Sequence, residues 1–241
     1  RLKYLILDSF SAAIAWVLFF SYRKEIVEPQ LFGSDVPFLF NSQFWLGVVS
    51  ITLFWLVLYF LSGYYKNVYR KSRLIELGQT LLQSFVGVLV IFFVAILDDF
   101  IPSYKNYYSS ISILFVVHFI TTYMFRFVFT THTVNKIHNR YIGFNTLIVG
   151  GGNSAVDMFK NITDRKKSGG NLIVGFVNGM DENGYYLKKY IPYLGSYKDL
   201  RSVIKSNNIE EVLIAIEQSE QHHILEGIIN DLEGVDVLIK V

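Results

Sequence analysis

Four long apolar stretches dominate the first half of the chain. No Asp, Glu, Lys or Arg occurs at positions 36–65, 77–97 or 106–125, and positions 4–22 carry only Asp8. A helix needs about 20 such residues to cross the roughly 30 Å hydrocarbon core of a bilayer. The pattern therefore predicts four membrane-spanning helices. The first stretch is interpreted as a span rather than a signal peptide, because no small-residue cleavage site follows it.

The second half alternates short apolar runs with helical stretches. The predicted strands are Thr146–Val149, Leu172–Val177, an edge strand near Ile191–Leu194, Glu211–Ile216 and Val235–Val241, and the predicted helices are Ser154–Lys167, Asp199–Ser206 and Ser219–Leu232. Such alternation is typical of a parallel sheet with helices on both faces. The predicted fold class is therefore a membrane α-helical bundle of four spans followed by an α/β Rossmann-like domain with a mostly parallel sheet.

Three segments follow from this division. We expect a four-helix transmembrane domain at residues 1–130, a linker at 131–143 and a Rossmann-like cytoplasmic domain at 144–241. The last predicted strand reaches Val241, so we expect the native protein to continue beyond it.

The charges of the short loops predict the orientation of the spans. The loop between the second and third spans contains Lys66, Arg70, Lys71 and Arg73 and no acidic residue. Basic short loops remain on the cytoplasmic side of the membrane. With an even number of spans, both the N-terminus and the C-terminus are then expected in the cytoplasm.

Composition narrows the function classes. The hydrophobic fraction is 52% and the mean hydropathy is +0.36, both of which favour a membrane protein. From Arg140 onward there are 13 acidic and 11 basic residues. This balance argues against a nucleic-acid partner, which requires a clustered basic face. The absence of cysteine excludes disulfides and thiolate metal sites.

A glycine-rich turn opens the second half. The segment GGGNSA at positions 150–155 fits the pattern G-x-G-x-x-A between a predicted strand and a predicted helix. Glycines allow close backbone approach, and the amides of a helix N-terminus favour a phosphate. A turn that only connects a strand to a helix would show the same pattern. With a nucleotide or nucleotide sugar as the expected ligand, the candidate cofactor-binding residues are Gly150, Gly152, Asn153, Ser154 and Ala155.

The position that holds ribose in dinucleotide sites departs from the usual pattern. An acidic residue normally ends the second strand, but Asn178 stands there, and Asp181 and Glu182 follow in the loop. This departure argues against NAD as the ligand. Tyr185 and Lys189 have the spacing of the catalytic pair of short-chain dehydrogenases, but they precede the third main strand. We therefore expect no catalytic role for them.

Ionisable residues inside membrane spans are functional candidates. Asp8 and Arg126 lie near cytoplasmic helix ends, so we expect them to form a structural pair. His118 lies in the middle of a span, where a hydrogen bond to a neighbouring helix would account for it. His222 and His223 have no histidine partner one helical turn away, so no metal site is predicted.

The chain resembles the N-terminal half of bacterial polyprenyl-phosphate glycosylphosphotransferases, the large initiating enzymes of capsule and exopolysaccharide synthesis. The resemblance covers essentially the whole chain. It rests on the four spans, the basic loop after the second span, and the segments NTLIVGGGNSA, LIVGFVNG, IPYLGSYKDL and EEVLIAI.

The resemblance implies a function for the whole protein. In that family a four-helix bundle and a CoA-binding-like Rossmann domain precede a catalytic domain, which transfers a sugar 1-phosphate from a nucleotide sugar to polyprenyl phosphate with Mg²⁺. We expect that domain to be absent from this chain, so no catalytic residue is assigned and the chain is expected to be non-catalytic by itself. Its expected roles are anchoring in the bacterial inner membrane, regulation and homodimer formation.

Two other interpretations remain open. A membrane nucleotide-sugar 4,6-dehydratase or epimerase shares the same front end and would add a second, dehydrogenase-type domain. A transport protein or channel with a nucleotide-sensing domain belongs to a different class, and the missing filter motif argues against it.

Overall fold

The computed structural model describes residues 2–29, 40–66, 68–96, 104–178, 185–216 and 221–240. The chain divides into two compact units, Arg1–Val134 and Asn135–Val241. The first unit is helical and the second is α/β.

Four long helices form the first unit. They are α1 Leu2–Tyr22, α2 Ser42–Leu61, α3 Arg73–Ile91 and α4 Tyr104–His138, the last of which continues into the second unit. π-helical turns extend α1 through Val27 and α3 through Ile96. Within the described ranges, four helices are long and apolar enough to cross a membrane. The four predicted spans are therefore confirmed.

The helical unit is polar-aromatic inside and apolar outside. Trp55 and Tyr59 are buried, whereas Leu61 and Leu74 are both 76% exposed. Outward-facing leucines of this kind suit a hydrocarbon solvent, which is as apolar as the side chains themselves. At Gly87 an added Cβ would lie 2.2 Å from the Trp55 ring, so α2 and α3 meet closely at this glycine.

The second unit is built on a five-stranded parallel sheet of order β3-β2-β1-β4-β5. The strands are β1 Phe144–Val149, β2 Asn171–Val177, β3 Tyr193–Gly195, β4 Glu211–Ile214 and β5 Leu238–Lys240. One face packs against α5 Asn153–Thr163 and the other against α6 Leu200–Ser206 and α7 Gln221–Leu232. This architecture confirms the predicted fold class, with all strand pairs parallel.

Some element ends differ from the predicted ones. Helix α5 ends at Thr163 instead of Lys167. Arg140 Nη2 donates to the Thr163 carbonyl at 3.0 Å, which satisfies an acceptor that the helix end would leave open. The predicted helix start at Ser219 and the predicted strand end at Val241 lie outside the described residues.

Helix α4 ends at a left-handed residue within the predicted linker. Arg140 has φ 62°, and the Tyr141 N–H donates to the Lys136 carbonyl at 2.9 Å. This is the hydrogen-bond pattern of a Schellman cap, which stops a helix and turns the chain away. The linker is therefore helical through His138 and irregular only up to β1.

Candidate functional site

The glycine-rich turn lies at the carboxyl end of β1, in the centre of the sheet. Strand β1 ends at Val149 and α5 begins at Asn153. The Gly150 N–H donates to the Val177 carbonyl at 2.8 Å, and the Ala215 N–H donates to the Val149 carbonyl at 2.8 Å. The turn is therefore fixed to the ends of both neighbouring strands, at the edge where open α/β sheets bind ligands.

Packing constrains two of the glycines. Gly150 has φ 128°, and an added Cβ would lie 2.3 Å from the Ala215 carbonyl oxygen. At Gly151 an added Cβ would lie 2.8 Å from Asn178 Nδ2. Packing therefore excludes a side chain at Gly150 whether or not a phosphate binds, whereas at Gly151 a side chain would fit only if Asn178 moved.

The candidate phosphate-binding residues surround the start of α5. The N-cap residue Gly152 is extended, and no side chain caps the helix. Asn153 and Ser154 are exposed, while Ala155 is buried against the sheet. First-turn amides have no acceptor within their own helix, and together with the helix dipole they attract a phosphate. The five candidate residues thus lie close together in the sequence around the start of α5, but the Gly150 N–H already donates to the Val177 carbonyl and is not available to a phosphate.

Asn178 directly follows β2, at the position where dinucleotide-binding sites normally carry an acidic residue. Its N–H donates to the Gly195 carbonyl at 3.3 Å, and its side chain lies against Gly151. An amide can bind a ribose hydroxyl, but it brings no negative charge to the site. Asp181 and Glu182 lie outside the described residues.

Tyr185 has a packing role. Its ring stacks on Tyr193 at 5.0 Å between centroids and meets Phe176 edge-on at 6.1 Å. Lys189 is exposed at the end of the short 3₁₀ turn Tyr186–Lys189. This turn does not provide the long helix on which dehydrogenases align such a pair.

A buried ion pair joins α1 and α4. Arg126 Nε donates to Asp8 Oδ1 at 2.8 Å, and both side chains are buried. The Tyr65 hydroxyl donates to Asp8 Oδ2 at 3.0 Å, and Arg126 Nη1 donates to Thr80 Oγ1 at 3.1 Å. These additional bonds are what a buried pair needs to offset its desolvation. The predicted structural pair is confirmed.

Sequence reasoning missed two further buried charges beside this pair. The first is Lys71, which the charge pattern assigned to a loop but which is only 8% exposed. Its Nζ donates to the Tyr64 carbonyl at 2.7 Å and lies 3.2 Å from the Tyr64 ring centroid. Burial, and next the charge of Arg126, lower the pKa of Lys71 to about 7. Glu76 is fully buried, and neither carboxylate oxygen accepts a hydrogen bond from a described residue. Both residues lie within two helical turns of a charge-free run. This position in the sequence is the signal that could have indicated their burial.

His118 bonds to a neighbouring helix, as predicted. Its Nε2 lies 2.9 Å from the Tyr59 hydroxyl of α2. The imidazole also stacks on the Trp55 ring at 3.5 Å between centroids. The histidine therefore belongs to the packing of α2 against α4.

The described residues include no group of three or more His, Asp or Glu side chains arranged to hold a metal ion. The side chains of His222 and His223 are outside the described part of the chain.

Comparison with known proteins gives one family. A family model described as a CoA-binding domain matches residues 60–240. The match begins at the end of α2 and includes α3, α4 and the whole sheet, so it covers parts of both units. No curated protein matches the chain.

Proposed function

The chain belongs to the CoA-binding domain family, and we propose that it is the membrane-anchoring and regulatory or oligomerisation module of an undecaprenyl-phosphate sugar-1-phosphate transferase. The parent enzyme would act in exopolysaccharide or capsule synthesis at the cytoplasmic membrane. One observation carries the proposal: the family match runs without interruption from the membrane helices into the α/β unit.

This combination suits a reaction with substrates in two phases. Polyprenyl phosphate resides in the bilayer, whereas a nucleotide sugar is dissolved in the cytoplasm. A module that spans the bilayer and ends in a phosphate-binding type of fold can respond to the soluble substrate while it anchors the enzyme beside the lipid.

Removal of the α/β unit from the native gene product tests the module's role. Residues 144–241 would be deleted in frame, and transfer of labelled sugar 1-phosphate to polyprenyl phosphate would be measured in isolated membranes at several nucleotide concentrations. We expect altered assembly and a lost response to nucleotide. Unchanged assembly together with an unchanged nucleotide response would rule out a regulatory or oligomerisation role.

We also propose that the start of α5 binds the diphosphate of a nucleotide or nucleotide sugar. Asn153 is the first helical residue, where proline removes one N–H without breaking the helix, and the extended Gly152 before it is compatible with proline. The variant Asn153→Pro should therefore weaken binding by about tenfold or more, because one charge-assisted hydrogen bond is lost.

The matched control is Asn153→Ala, which keeps the amide. Thermal-shift titrations of the full chain in nanodiscs would use UDP, a UDP-sugar and coenzyme A as probes. Binding that is equal in the proline and alanine variants, or absent for all three probes, would refute this use of the turn.

A further inference from the structure

A row of four aromatic rings runs along α4, with one helical turn between successive rings. It consists of Phe115, Phe119, Tyr123 and Phe127, and successive ring centroids are 6.0, 5.8 and 5.7 Å apart. The first three rings are nearly parallel, with angles of 5° and 4° between neighbouring planes. At 1.5 Å per residue the row extends about 18 Å along the helix axis. It therefore covers more than half of the roughly 30 Å hydrocarbon core.

Helix α3 contacts both ends of this row. Phe85 meets Phe115 edge-on at 6.5 Å between centroids, and the guanidinium carbon of Arg73 lies 5.9 Å from the centroid of the Phe127 ring. The lower-numbered residue of α3 meets the higher-numbered residue of α4, so the two helices run antiparallel. The rings therefore line one seam between α3 and α4, which we call the aromatic seam.

The aromatic seam opens into an apolar groove at the end away from Arg73. Phe85 is 55% exposed and Ser112 is also exposed, so the groove is open at the outer surface of the bundle. Helices that only packed on each other would fill such a space with side chains. The groove is therefore suited to a hydrocarbon chain that enters from the bilayer. It has a volume of about 240 Å³ and is lined from α3 and α4 by Phe85, Val88, Leu89, Ile111, Ser112 and Phe115.

Arg73 gives the aromatic seam a cationic end. It is the first residue of α3 and is exposed, and no acidic side chain pairs with it in the part of the chain that the structure describes. The loop before it, residues 62–72, contains basic residues and no acidic one, so this end of the seam is expected at the cytoplasmic headgroups. An arginine held over a ring keeps its N–H groups available for bidentate binding of a phosphate.

We propose that the aromatic seam binds the lipid substrate, polyprenyl phosphate, with its phosphate at Arg73 and its prenyl chain along the rings into the groove. This inference rests on the proposed transferase function, which requires such a lipid at the cytoplasmic side of the membrane. The two ends of the ligand match the two ends of the seam, because a phosphate monoester carries about 1.5 to 2 negative charges at pH 7 and the chain is entirely apolar. The flat double bonds of the chain can lie against the ring faces.

Photo-cross-linking tests the site in the full chain, reconstituted in phosphatidylcholine nanodiscs. The probe is a polyprenyl phosphate with a diazirine in its chain, and the labelled peptides are identified by mass spectrometry. Labelling should concentrate in α3 and α4 at the groove. Excess undecaprenyl phosphate should abolish it, whereas undecaprenol or phosphatidylglycerol should not. Equal competition by either of these two lipids, or labelling spread evenly over the four helices, would overturn the proposal.

Substitutions at the two ends of the aromatic seam test it independently, and all the positions are exposed. Arg73→Gln should lower labelling by about tenfold, because charge-assisted hydrogen bonds are lost. Its matched control is Lys3→Gln, which removes a cation from the first turn of α1. Ser112→Trp should fill the groove and lower labelling similarly, whereas Leu53→Trp on α2 should not. Equal labelling within either pair of variants would contradict the proposed site.

The test of the lipid site can be read separately from the test of the transferase function. Transfer of sugar 1-phosphate by the native protein without labelling of the seam would refute the site and leave the transferase function intact. Specific labelling of the seam in a protein that transfers no sugar 1-phosphate would refute the function and keep the site.

Discussion

Arg126 is a fully buried charged residue of the helical unit. Its guanidinium carbon lies 3.8 Å from the Tyr64 ring centroid and 4.3 Å from that of Tyr59, and Asp8 supplies the opposing charge. Cation–π contacts of this kind supplement a buried ion pair. The helices α1 and α4 are therefore held together by electrostatics at this level of the bundle.

We predict that Arg126→Met destabilises the helical unit by about 3–5 kcal/mol, since it leaves the Asp8 carboxylate buried without its partner. The combined variant Asp8→Leu, Arg126→Met should recover most of that loss, because it removes both charges. Chemical unfolding in detergent micelles measures both. A double variant no more stable than the single one would show that the pair is not the source of the effect.

Lys71 should make the stability of the helical unit depend on pH. Burial lowers its pKa from 10.5 to about 7 in the folded protein, so the unfolded chain binds more protons between these values. Stability should then be lowest below pH 7 and rise as the pH increases above it. Burial, and next the Asp8 charge, raise the pKa of Tyr65 above its usual 10.0, an opposite effect that begins near pH 10.

The effect of Lys71 on stability should therefore be measured between pH 7 and pH 10. Across it the unfolding temperature should rise by a few degrees, on the order of 2–8 °C. The variant Lys71→Met should be flat over this range and more stable at pH 6, whereas the exposed control Lys66→Met should keep the slope. A slope that survives in Lys71→Met would assign the titration to another group.

The sequence could predict the pairing of Asp8 with Arg126 but not the burial of Lys71 and Glu76. Asp8 and Arg126 interrupt or end long apolar runs, so each is conspicuous as a charge in a hydrophobic environment. Lys71 and Glu76 stand at a span boundary, where a charged residue ordinarily reaches the headgroups by extending its side chain. The structure instead turns both side chains inward.

At the scale of elements, the packing of α2 on α3 depends on one small residue. An added Cβ at Gly87 would lie 2.2 Å from the Trp55 ring, whereas Gly78 in the same helix has nothing within 4 Å. We predict that Gly87→Ala destabilises the helical unit by about 1–3 kcal/mol through overpacking. The matched variant Gly78→Ala should be neutral or slightly stabilising. Equal unfolding midpoints for the two variants would contradict this packing.

Hydrophobic patterning located the helices and strands better than their ends. The four spans and the main strands follow from long charge-free runs and short apolar runs, which reflect the solvent each element faces. At the end of α5, the Thr163 carbonyl accepts a hydrogen bond from Arg140, 23 residues earlier in the chain. Contacts between distant residues leave no local pattern, so such an end cannot be predicted from periodicity.

At the candidate site, too, the local sequence pattern located the turn but did not reveal its contacts with distant residues. The G-x-G-x-x-A pattern placed the turn between β1 and α5 correctly. The pattern could not show that the Ala215 carbonyl leaves no space for a side chain at position 150. Nor could it show that Asn178 lies against Gly151. These contacts depend on the order of strands in the sheet. The motif alone therefore leaves the choice between a binding turn and a connecting turn to a binding experiment.

At the scale of the whole molecule, the orientation in the membrane is a direct prediction. The chain lacks cysteine, so single cysteines report sidedness without background labelling. In spheroplasts, a membrane-impermeant maleimide should label Gln43→Cys, in the first turn of α2, at once. It should label Lys189→Cys, exposed in the α/β unit, only after lysis. The reverse order of labelling would place the α/β unit outside the cell and exclude a role with cytoplasmic nucleotide sugars.

The most direct test is to identify the reaction product that the native protein forms in membranes. Membranes containing it would be incubated with undecaprenyl phosphate and a labelled nucleotide sugar, and the lipid and nucleotide fractions would be analysed by mass spectrometry. We predict a lipid that has gained one sugar 1-phosphate, with release of the nucleoside monophosphate. An unchanged lipid together with a 4-keto or epimerised nucleotide sugar would contradict it and assign the chain to a membrane dehydratase or epimerase.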